Sequence, residues 1–434
     1  MRTDIVHIGA GELTYEIRNI VSVGEKLQEL GMKTYWENIG DPVAKGEILP
    51  QWMKDIVSDT AQQDLAYAYS PTRGVLETRN FIAEQTNKRG KVQIGPDDII
   101  FFNGLGDAIS KVFGFLKRTA RVVVPTPSYT THSSAEAAHA GDRPVTYKLD
   151  PHNNWYPDLD DLEKRIMYNP AVAGILIINP DNPTGAVYPV KILKGMVDLA
   201  KKYDLFVVCD EIYINIIYNN QHTLPLSDVI GDVPAIVMRG ISKEMPWPGS
   251  RCGWIEVYNG HDDPMFELYL KSILDAKMLE VCSTTLPQMV MPKVVTHPEY
   301  PAYLENRIKR YERISNIAYD CLKDVEGVLV NRTNGAFYMS VVFEDGVLND
   351  KQTLPIENAE VRNHVESLVN QPGVSFDKRF VYYLLGATGV CVVPLSSFAT
   401  DLQGFRSTLL ETNEEMFTKI FKTIAESISK YLSS

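Results

Sequence analysis

Several features that would place this chain in a specialised class are scarce or missing. It has only five cysteines among 434 residues, and no two of them form a Cys-x-x-Cys pair, which argues against a disulfide framework or a zinc site. No basic stretch followed by an apolar core opens the sequence, so a secretory signal peptide is not expected. The longest apolar run, Ala171 to Ile178, is far too short to span a bilayer. These absences predict a metal-free protein of the reducing cytoplasm.

Positive charge is also in short supply. The chain has 43 Lys and Arg against 55 Asp and Glu, a formal net charge of −12. Nucleic-acid partners require a positive field, so this balance argues against them while leaving room for a small local phosphate site. A hydrophobic fraction of 44% is ordinary for a soluble enzyme, and the length suggests two domains.

Short β-branched runs alternate with helical patterns through the middle of the chain. This alternation predicts an α/β domain with a mostly parallel, seven-stranded sheet. The predicted strands are Ile99 to Phe102, Arg121 to Val124, Val145 to Leu149, Gly174 to Ile178, Leu205 to Asp210, Ala235 to Met238 and Cys252 to Val257. We expect residues 46–305 to form this large domain and residues 306–434 a smaller α+β domain. Residues 1–45 would be an N-terminal arm that contributes to the small domain.

Polar residues follow several of these strands, at the sheet edge where α/β proteins bind ligands. Gly104 to Asp107 connects a strand to a helix, where free backbone amides suit a phosphate, although a tight turn is the simpler interpretation. Asp210 ends an apolar strand and requires a cation if it is buried. A helix cap or an ordinary ion pair explains Asp210 equally well at this stage. Arg406, flanked by apolar residues, requires an anion, either a substrate carboxylate or a structural one.

Lys243 is the residue on which the functional interpretation depends. It follows the predicted strand Ala235 to Met238, and Arg251 comes eight positions later. Burial and a neighbouring cation disfavour the ammonium form, so the amine becomes a nucleophile able to form a Schiff base with an aldehyde. The aldehyde we infer is pyridoxal phosphate. An isolated Ser-Lys pair is also common on protein surfaces, so the interpretation depends on the rest of the chain.

The ordered set of motifs along the whole chain resembles the class I/II aminotransferases of fold type I. The motifs are Gly40, Tyr69, Gly104 to Asp107, Tyr129, Asn182-Pro183-Thr184-Gly185, Asp210 with Tyr213, Ser242-Lys243, Arg251 and Arg406. Within that family, four further segments look most like bacterial glutamate–pyruvate (alanine) transaminases: Tyr15 to Arg18, Asn38 to Pro42, Trp155 to Asp161 and Ile178 to Tyr188.

The resemblance implies a role for each matched residue. Lys243 would hold the cofactor covalently and later move a proton from the substrate Cα. Asp210 would keep the pyridine nitrogen protonated, Asn182 and Tyr213 would bond the phenolic oxygen, and Tyr129 would stack on the ring. The implied phosphate ligands are Ser242, Arg251, the backbone of Leu105, Gly106 and Asp107, and Tyr69 from the second subunit of a homodimer. The implied ligands of the substrate carboxylate are Arg406, Asn182 and Gly40.

The chain departs from the family pattern at a few positions. Gly240 and Gly106 stand where many relatives have hydroxyl residues, which shifts the phosphate contacts toward backbone amides. Residues 277–280 offer no arginine for the second carboxylate of a dicarboxylate substrate. Tyr15 and Arg18 are therefore our candidates for contacting substrate from the arm, and Arg18 is a hypothetical ligand for glutamate. An ion pair between arm and body is the alternative for Arg18.

Two other functional classes remain open at the level of sequence. A Cβ–Sβ lyase or an amino-acid decarboxylase would use the same lysine and cofactor, and an assay of amino acids with and without 2-oxoglutarate distinguishes them from a transaminase. A regulator that only senses the cofactor would carry a DNA-binding segment ahead of this domain. The roughly 45 residues that precede it show no helix-turn-helix pattern.

Overall fold

The computed structural model describes residues 5–13 and 16–434. The helices in these ranges are α1 (Glu16–Glu29), α2 (Gln51–Ala61), α3 (Leu76–Arg89), α4 (Leu105–Gly114), α5 (Thr130–Ala140), α6 (Leu159–Met167), α7 (Val190–Lys202), α8 (Pro264–Met278), α9 (Thr285–Val295), α10 (Tyr300–Leu322), α11 (Ala359–Val369), α12 (Phe376–Thr388) and α13 (Glu414–Leu432). The strands are β1 (Tyr35–Trp36), β2 (Ile99–Asn103), β3 (Arg121–Thr126), β4 (Thr146–Asp150), β5 (Tyr156–Pro157), β6 (Val172–Ile178), β7 (Phe206–Asp210), β8 (Ala235–Gly240), β9 (Cys252–Tyr258), β10 (Val328–Val330), β11 (Tyr338–Phe343), β12 (Val390–Cys391), β13 (Val393–Pro394) and β14 (Gly404–Thr408).

The largest sheet has the strand order β2-β9-β8-β7-β6-β3-β4-β5. Strands β2, β3, β4, β6, β7 and β8 run in one direction, whereas β9 and β5 are antiparallel to their neighbours. The predicted α/β fold with a mostly parallel sheet is confirmed, and all seven predicted strands are present. The two-residue strand β5 pairs with β4 at the edge and makes the sheet eight-stranded rather than seven-stranded.

Both faces of this sheet are buried. Along β6, Ile175 and Ile177 belong to the larger core cluster, whereas the alternating Leu176 and Ile178 belong to a second cluster on the opposite face. Helices α4 and α8 contribute to the second cluster, and α7 contributes to the first. A strand covered on both faces is apolar at every position, which explains the continuous apolar run in this part of the sequence.

A second, four-stranded antiparallel sheet has the order β10-β11-β14-β13. Helix α13 packs against α10, and α11 packs against α12. Strand β1, from the N-terminal part of the chain, pairs in parallel with β12, so both ends of the sequence contribute to this region. The predicted boundary at residue 305 falls inside α10, a continuous helix of 23 residues. The division into domains therefore stays a prediction.

Helices α9 and α12 are poorly marked in the sequence, each for a physical reason. Helix α9 contains Pro287 in its first turn and Pro292 in its interior, residues that normally argue against a helix. Helix α12 is buried at most of its positions, so it lacks the polar face that reveals an amphipathic helix. Within the described residues, no helix combines the length and apolar character needed to cross a membrane.

Candidate active site

The carboxyl ends of the parallel strands meet at one edge of the large sheet and enclose a cavity of about 190 Å³. Nine of the residues singled out in the sequence line this cavity: Leu105, Gly106, Tyr129, Asn182, Asp210, Tyr213, Ser242, Lys243 and Arg251. The sheet topology explains the convergence, because β2, β3, β6, β7 and β8 all end at this edge and each leads into one of these segments.

Lys243 lies in the turn that follows β8 and is half-buried. Its Nζ donates a hydrogen bond of 2.7 Å to the main-chain carbonyl of Gly40 and lies 5.7 Å from the centre of the Phe337 ring. The N-terminal segment therefore reaches the lysine directly. This contact places the Gly40 carbonyl beside Lys243, whereas the resemblance implied only that Gly40 contacts the substrate carboxylate.

Asp210, the last residue of β7, is 3% exposed. Its Oδ1 accepts a hydrogen bond of 3.0 Å from the amide of Ile212, and its Oδ2 lies 2.9 Å from Nε2 of His132. His132 is fully buried on α5 and was not identified from the sequence. Its position three residues after Tyr129 is a usable signal, since residues three apart share one side of a helix. The histidine orients the carboxylate toward the cavity.

The end of the cavity suited to a phosphate lies at the N-terminus of α4. Gly104 precedes the helix with φ +82°, a conformation that residues with a Cβ rarely adopt, and the Arg251 guanidinium packs closely against it. Leu105 and Gly106 line the cavity, and the first amides of a helix have no acceptor within it. The amide of Asp107 instead donates to the Gly104 carbonyl at 3.2 Å.

The carboxylate of Asp107 points away from the cavity. It accepts a hydrogen bond of 2.9 Å from the amide of Asn103 and pairs with Lys111 and, at 3.5 Å, with Lys277. Burial alone would raise the pKa of Asp107, but these partners hold it below its usual value. Lys277 is fully buried and also pairs with Glu280 at 2.7 Å, so its charge is balanced within the protein.

Arg406, on β14, is 2% exposed. One terminal nitrogen donates to the Asn182 Oδ1 at 3.3 Å and the other to the Asn38 carbonyl at 2.6 Å. Its guanidinium carbon lies 4.6 Å from the ring centre of Tyr338 and 5.0 Å from that of Phe398. Two aromatic rings and two oxygens thus fix the planar guanidinium beside Asn182, a residue of the cavity wall.

Tyr338 is a cavity residue that the sequence did not reveal. Its hydroxyl lies 3.0 Å from that of Tyr213, and burial raises the pKa of Tyr213 well above its usual value, so the Tyr213 phenol stays protonated at neutral pH. The same hydroxyl approaches Gly40 so closely that a Cβ on that residue would lie only 2.0 Å away. Gly40 is therefore required by close packing.

Asp181 is a buried carboxyl near Asn182 that was not identified from the sequence. Its Oδ2 accepts hydrogen bonds from the amide of Thr184 at 3.2 Å and from the Thr184 hydroxyl at 2.5 Å, which shapes the turn that carries Asn182. Its Oδ1 is buried without a hydrogen-bond partner among the described residues. Burial raises the pKa of Asp181 to about 7.

Three predicted residues lie elsewhere. Tyr69 is 83% exposed in the loop between α2 and α3 and does not line the cavity. Arg18 is exposed on α1 and lines a neighbouring groove that shares Gly106 with the cavity. Tyr15 lies outside the described residues.

These groups form a set complementary to one ligand. A buried carboxylate, a lysine amine, phenol and amide groups, and a helix N-terminus beside an arginine match the pyridinium, aldehyde, phenolic oxygen and phosphate of pyridoxal phosphate. The chain belongs to the class I and II aminotransferases, whose family model matches residues 38–424. It is a fold type I enzyme of the transaminase class, and its cofactor is pyridoxal 5′-phosphate.

Similar proteins agree with this placement. An uncharacterized aminotransferase of Methanocaldococcus jannaschii is 59% identical over 434 residues and is covered over 100% of both chains. A glutamate-pyruvate aminotransferase of Escherichia coli K12 is 29% identical over 329 residues, which span 75% of this chain and 79% of that protein. The solved structure of an alanine aminotransferase from Pyrococcus furiosus superimposes with a TM-score of 0.82 and 27% identity, covering 96% of this chain and 98% of that one.

Proposed function

We propose that this transaminase moves amino groups between alanine or glutamate and 2-oxo acids at the cavity around Lys243. The main support is that an amine, a buried carboxylate and a guanidinium lie at or beside one cavity. Lys243 and the buried Asp210 line the same cavity, and the wall residue Asn182 is bonded to the Arg406 guanidinium. The glutamate-pyruvate and alanine aminotransferases among the similar proteins support the choice of substrates.

Each protein group has a proposed task. When bound, the cofactor supplies an electron sink for the bonds at the substrate Cα. Asp210, oriented by His132, keeps the proton on the pyridine nitrogen. Tyr213 and Asn182 stabilise the phenolic oxygen, and Tyr129 stacks on the ring. The Lys243 amine attaches the cofactor and, once displaced by substrate, moves the proton from Cα.

The phosphate is assigned to the N-terminus of α4 and the residues around it. The ligands are the amides of Leu105, Gly106 and Asp107, together with Ser242 and Arg251. Asp107 is the weakest of these, because its amide is already bonded to Gly104. The substrate carboxylate is assigned to Arg406 and Asn182, with Gly40 beside them. A planar guanidinium can bind a carboxylate through two parallel hydrogen bonds.

The proposal includes a homodimer located in the cytoplasm. Leu65, Tyr67 and Tyr69 are 70%, 79% and 83% exposed in one short segment, an apolar patch that association would cover. In the dimer, the Tyr69 hydroxyl reaches the phosphate of the second subunit. Arg18, on the neighbouring groove, is the proposed ligand for the second carboxylate of glutamate.

Two measurements test the proposal. Borohydride reduction of the protein loaded with pyridoxal phosphate, followed by digestion and mass analysis, should place a pyridoxyl group on Lys243, and Lys243→Ala should remain unlabelled. Amino acids should then be turned over beyond one equivalent per active site only when 2-oxoglutarate or pyruvate is supplied. Release of ammonia or carbon dioxide without a 2-oxo acid would instead identify a lyase or a decarboxylase. A label absent from Lys243 would refute the site.

A further inference from the structure

Helix α10 contacts the main chain of the turn that follows β8 and carries Lys243. Arg307, a buried residue of this helix, donates from Nη1 to the carbonyl of Glu244 at 2.5 Å and from Nη2 to the carbonyl of Lys243 at 3.1 Å. One guanidinium therefore spans two consecutive carbonyls, which its planar fork of donors permits. Tyr300 of the same helix donates to the Glu244 carboxylate.

The charge of Arg307 is balanced by Glu47. The Glu47 carboxylate accepts hydrogen bonds from Nε of Arg307, from Arg310 and, at 3.1 Å, from the Tyr311 hydroxyl. Burial alone would raise the pKa of Glu47, but the two guanidinium groups hold it below its usual value. The pair is thus ionised at neutral pH. Removing Glu47 would leave the buried Arg307 charge without its counterion, which is costly.

The same N-terminal segment also holds the other end of the lysine. Within residues 40–47, the Gly40 carbonyl accepts the Nζ hydrogen bond of Lys243, and Glu47 binds the arginine that holds the Lys243 main chain. The lysine is therefore restrained both at its backbone and at its amine. A lysine side chain has several rotatable bonds, so fixing only one end would leave the amine poorly placed.

We propose that Arg307 is a positioning residue, which fixes the main chain of Lys243 so that its amine reaches both the cofactor and the substrate proton. The inference rests on the assignment of Lys243 under the proposed function. Its physical reason is that misplacing a reacting group by about 1 Å can cost about 100-fold in rate. Arg310 offers a matched comparison, because it binds the same Glu47 carboxylate from the same helix, whereas Arg307 holds the two carbonyls.

The test uses the enzyme loaded with pyridoxal phosphate. Arg307→Lys keeps the charge but loses the fork of donors. It should lower kcat about tenfold, change KM for the amino donor less than about threefold, and alter the visible circular dichroism of the bound cofactor, which reports its orientation. Arg307→Met should have the larger effect. Arg310→Lys should leave kcat and the dichroism unchanged.

A second variant, Glu47→Gln, keeps the inference testable even when Arg307→Met folds poorly. Glu47→Gln keeps the side-chain shape and removes the counterion, so we expect a smaller change of the same kind. Unchanged kcat and dichroism in Arg307→Lys and Glu47→Gln, with only a lower melting temperature, would show a merely structural role. Equal effects in Arg310→Lys would overturn the inference as well. Borohydride labelling of wild-type Lys243 is measured first, because its failure would refute the proposed function itself.

Discussion

Nε2 of His132 lies 2.9 Å from Oδ2 of Asp210, and both side chains are buried. The carboxylate proposed to bind the pyridine nitrogen thus has one oxygen oriented by a histidine and the other by the amide of Ile212. Two fixed partners leave the carboxylate little rotational freedom, so its orientation is set before any ligand arrives.

Replacing this histidine should weaken cofactor binding. His132→Phe keeps a ring in the buried space but leaves the Asp210 Oδ2 without its partner, at a cost of about 1–3 kcal/mol. We expect affinity for pyridoxal phosphate to fall about tenfold or more, measured by titrating the apoprotein and following fluorescence. His139→Phe, on the same helix but bonded to the carbonyls of Lys117 and Ala120, is the control. Equal losses in both variants would contradict the prediction.

Alanine at position 40 should be destabilising because of its contact with Tyr338. Its Cβ would lie 2.0 Å from the Tyr338 hydroxyl, and overpacking of this kind costs about 1–3 kcal/mol of unfolding free energy. Gly114→Ala, whose Cβ would have no heavy atom within 4 Å, is the control. Urea unfolding of Gly40→Ala, Tyr338→Phe and the double variant should show partial recovery in the double variant. Additive losses would mean that the hydroxyl is not the cause.

Asp181 should make stability depend on pH. Its folded pKa of about 7 is raised above the unfolded value, so its favourable contribution is complete in acid and is lost as pH rises through 7. Asp181→Asn should therefore reduce the drop in melting temperature between pH 5 and pH 8. Asp198→Asn makes the same charge change at an exposed site of α7 and should leave that drop as in the wild type. A drop in the melting temperature of Asp181→Asn as large as that of the wild type would contradict the prediction.

Tyr69 lies on the surface of its own subunit, and replacing it should weaken cofactor binding in the second subunit. Tyr69→Phe removes the hydroxyl proposed to reach the phosphate in the second subunit, so affinity for pyridoxal phosphate should fall by about 1–3 kcal/mol of binding free energy. Tyr67→Phe alters a neighbouring tyrosine of comparable exposure and should bind as the wild type does. An unchanged affinity in Tyr69→Phe would remove this residue from the site.

Replacing Arg18 should affect the KM for glutamate more than the KM for alanine. Arg18→Ala should raise KM for glutamate by up to about fivefold and leave KM for alanine nearly unchanged, since an exposed charge pair contributes about 1 kcal/mol or less. Arg118→Ala, which lines the same groove, is the control in the same steady-state assay. Equal effects on both substrates would eliminate Arg18 as a glutamate ligand.

Local order along the chain was sufficient to predict the α/β class and to place Lys243 directly after a strand of the large sheet. The alternation of β-branched runs with helical patterns repeats over short distances. Asp210 ends one apolar strand and Lys243 follows the next one. Helix α12 shows the limit, because a helix buried on most sides has no polar face to reveal it. The eighth strand is only two residues long and depends on its pairing with β4.

By itself, the sequence determined the family, the cofactor and most residues around the cavity. Only the tertiary structure decided which distant residues meet: His132 with Asp210, Tyr338 with Gly40, and Arg307 with the backbone of Lys243. The reason is physical. Strand and helix periodicity is encoded by neighbours in the chain, whereas a contact between distant segments depends on how complete elements pack against one another.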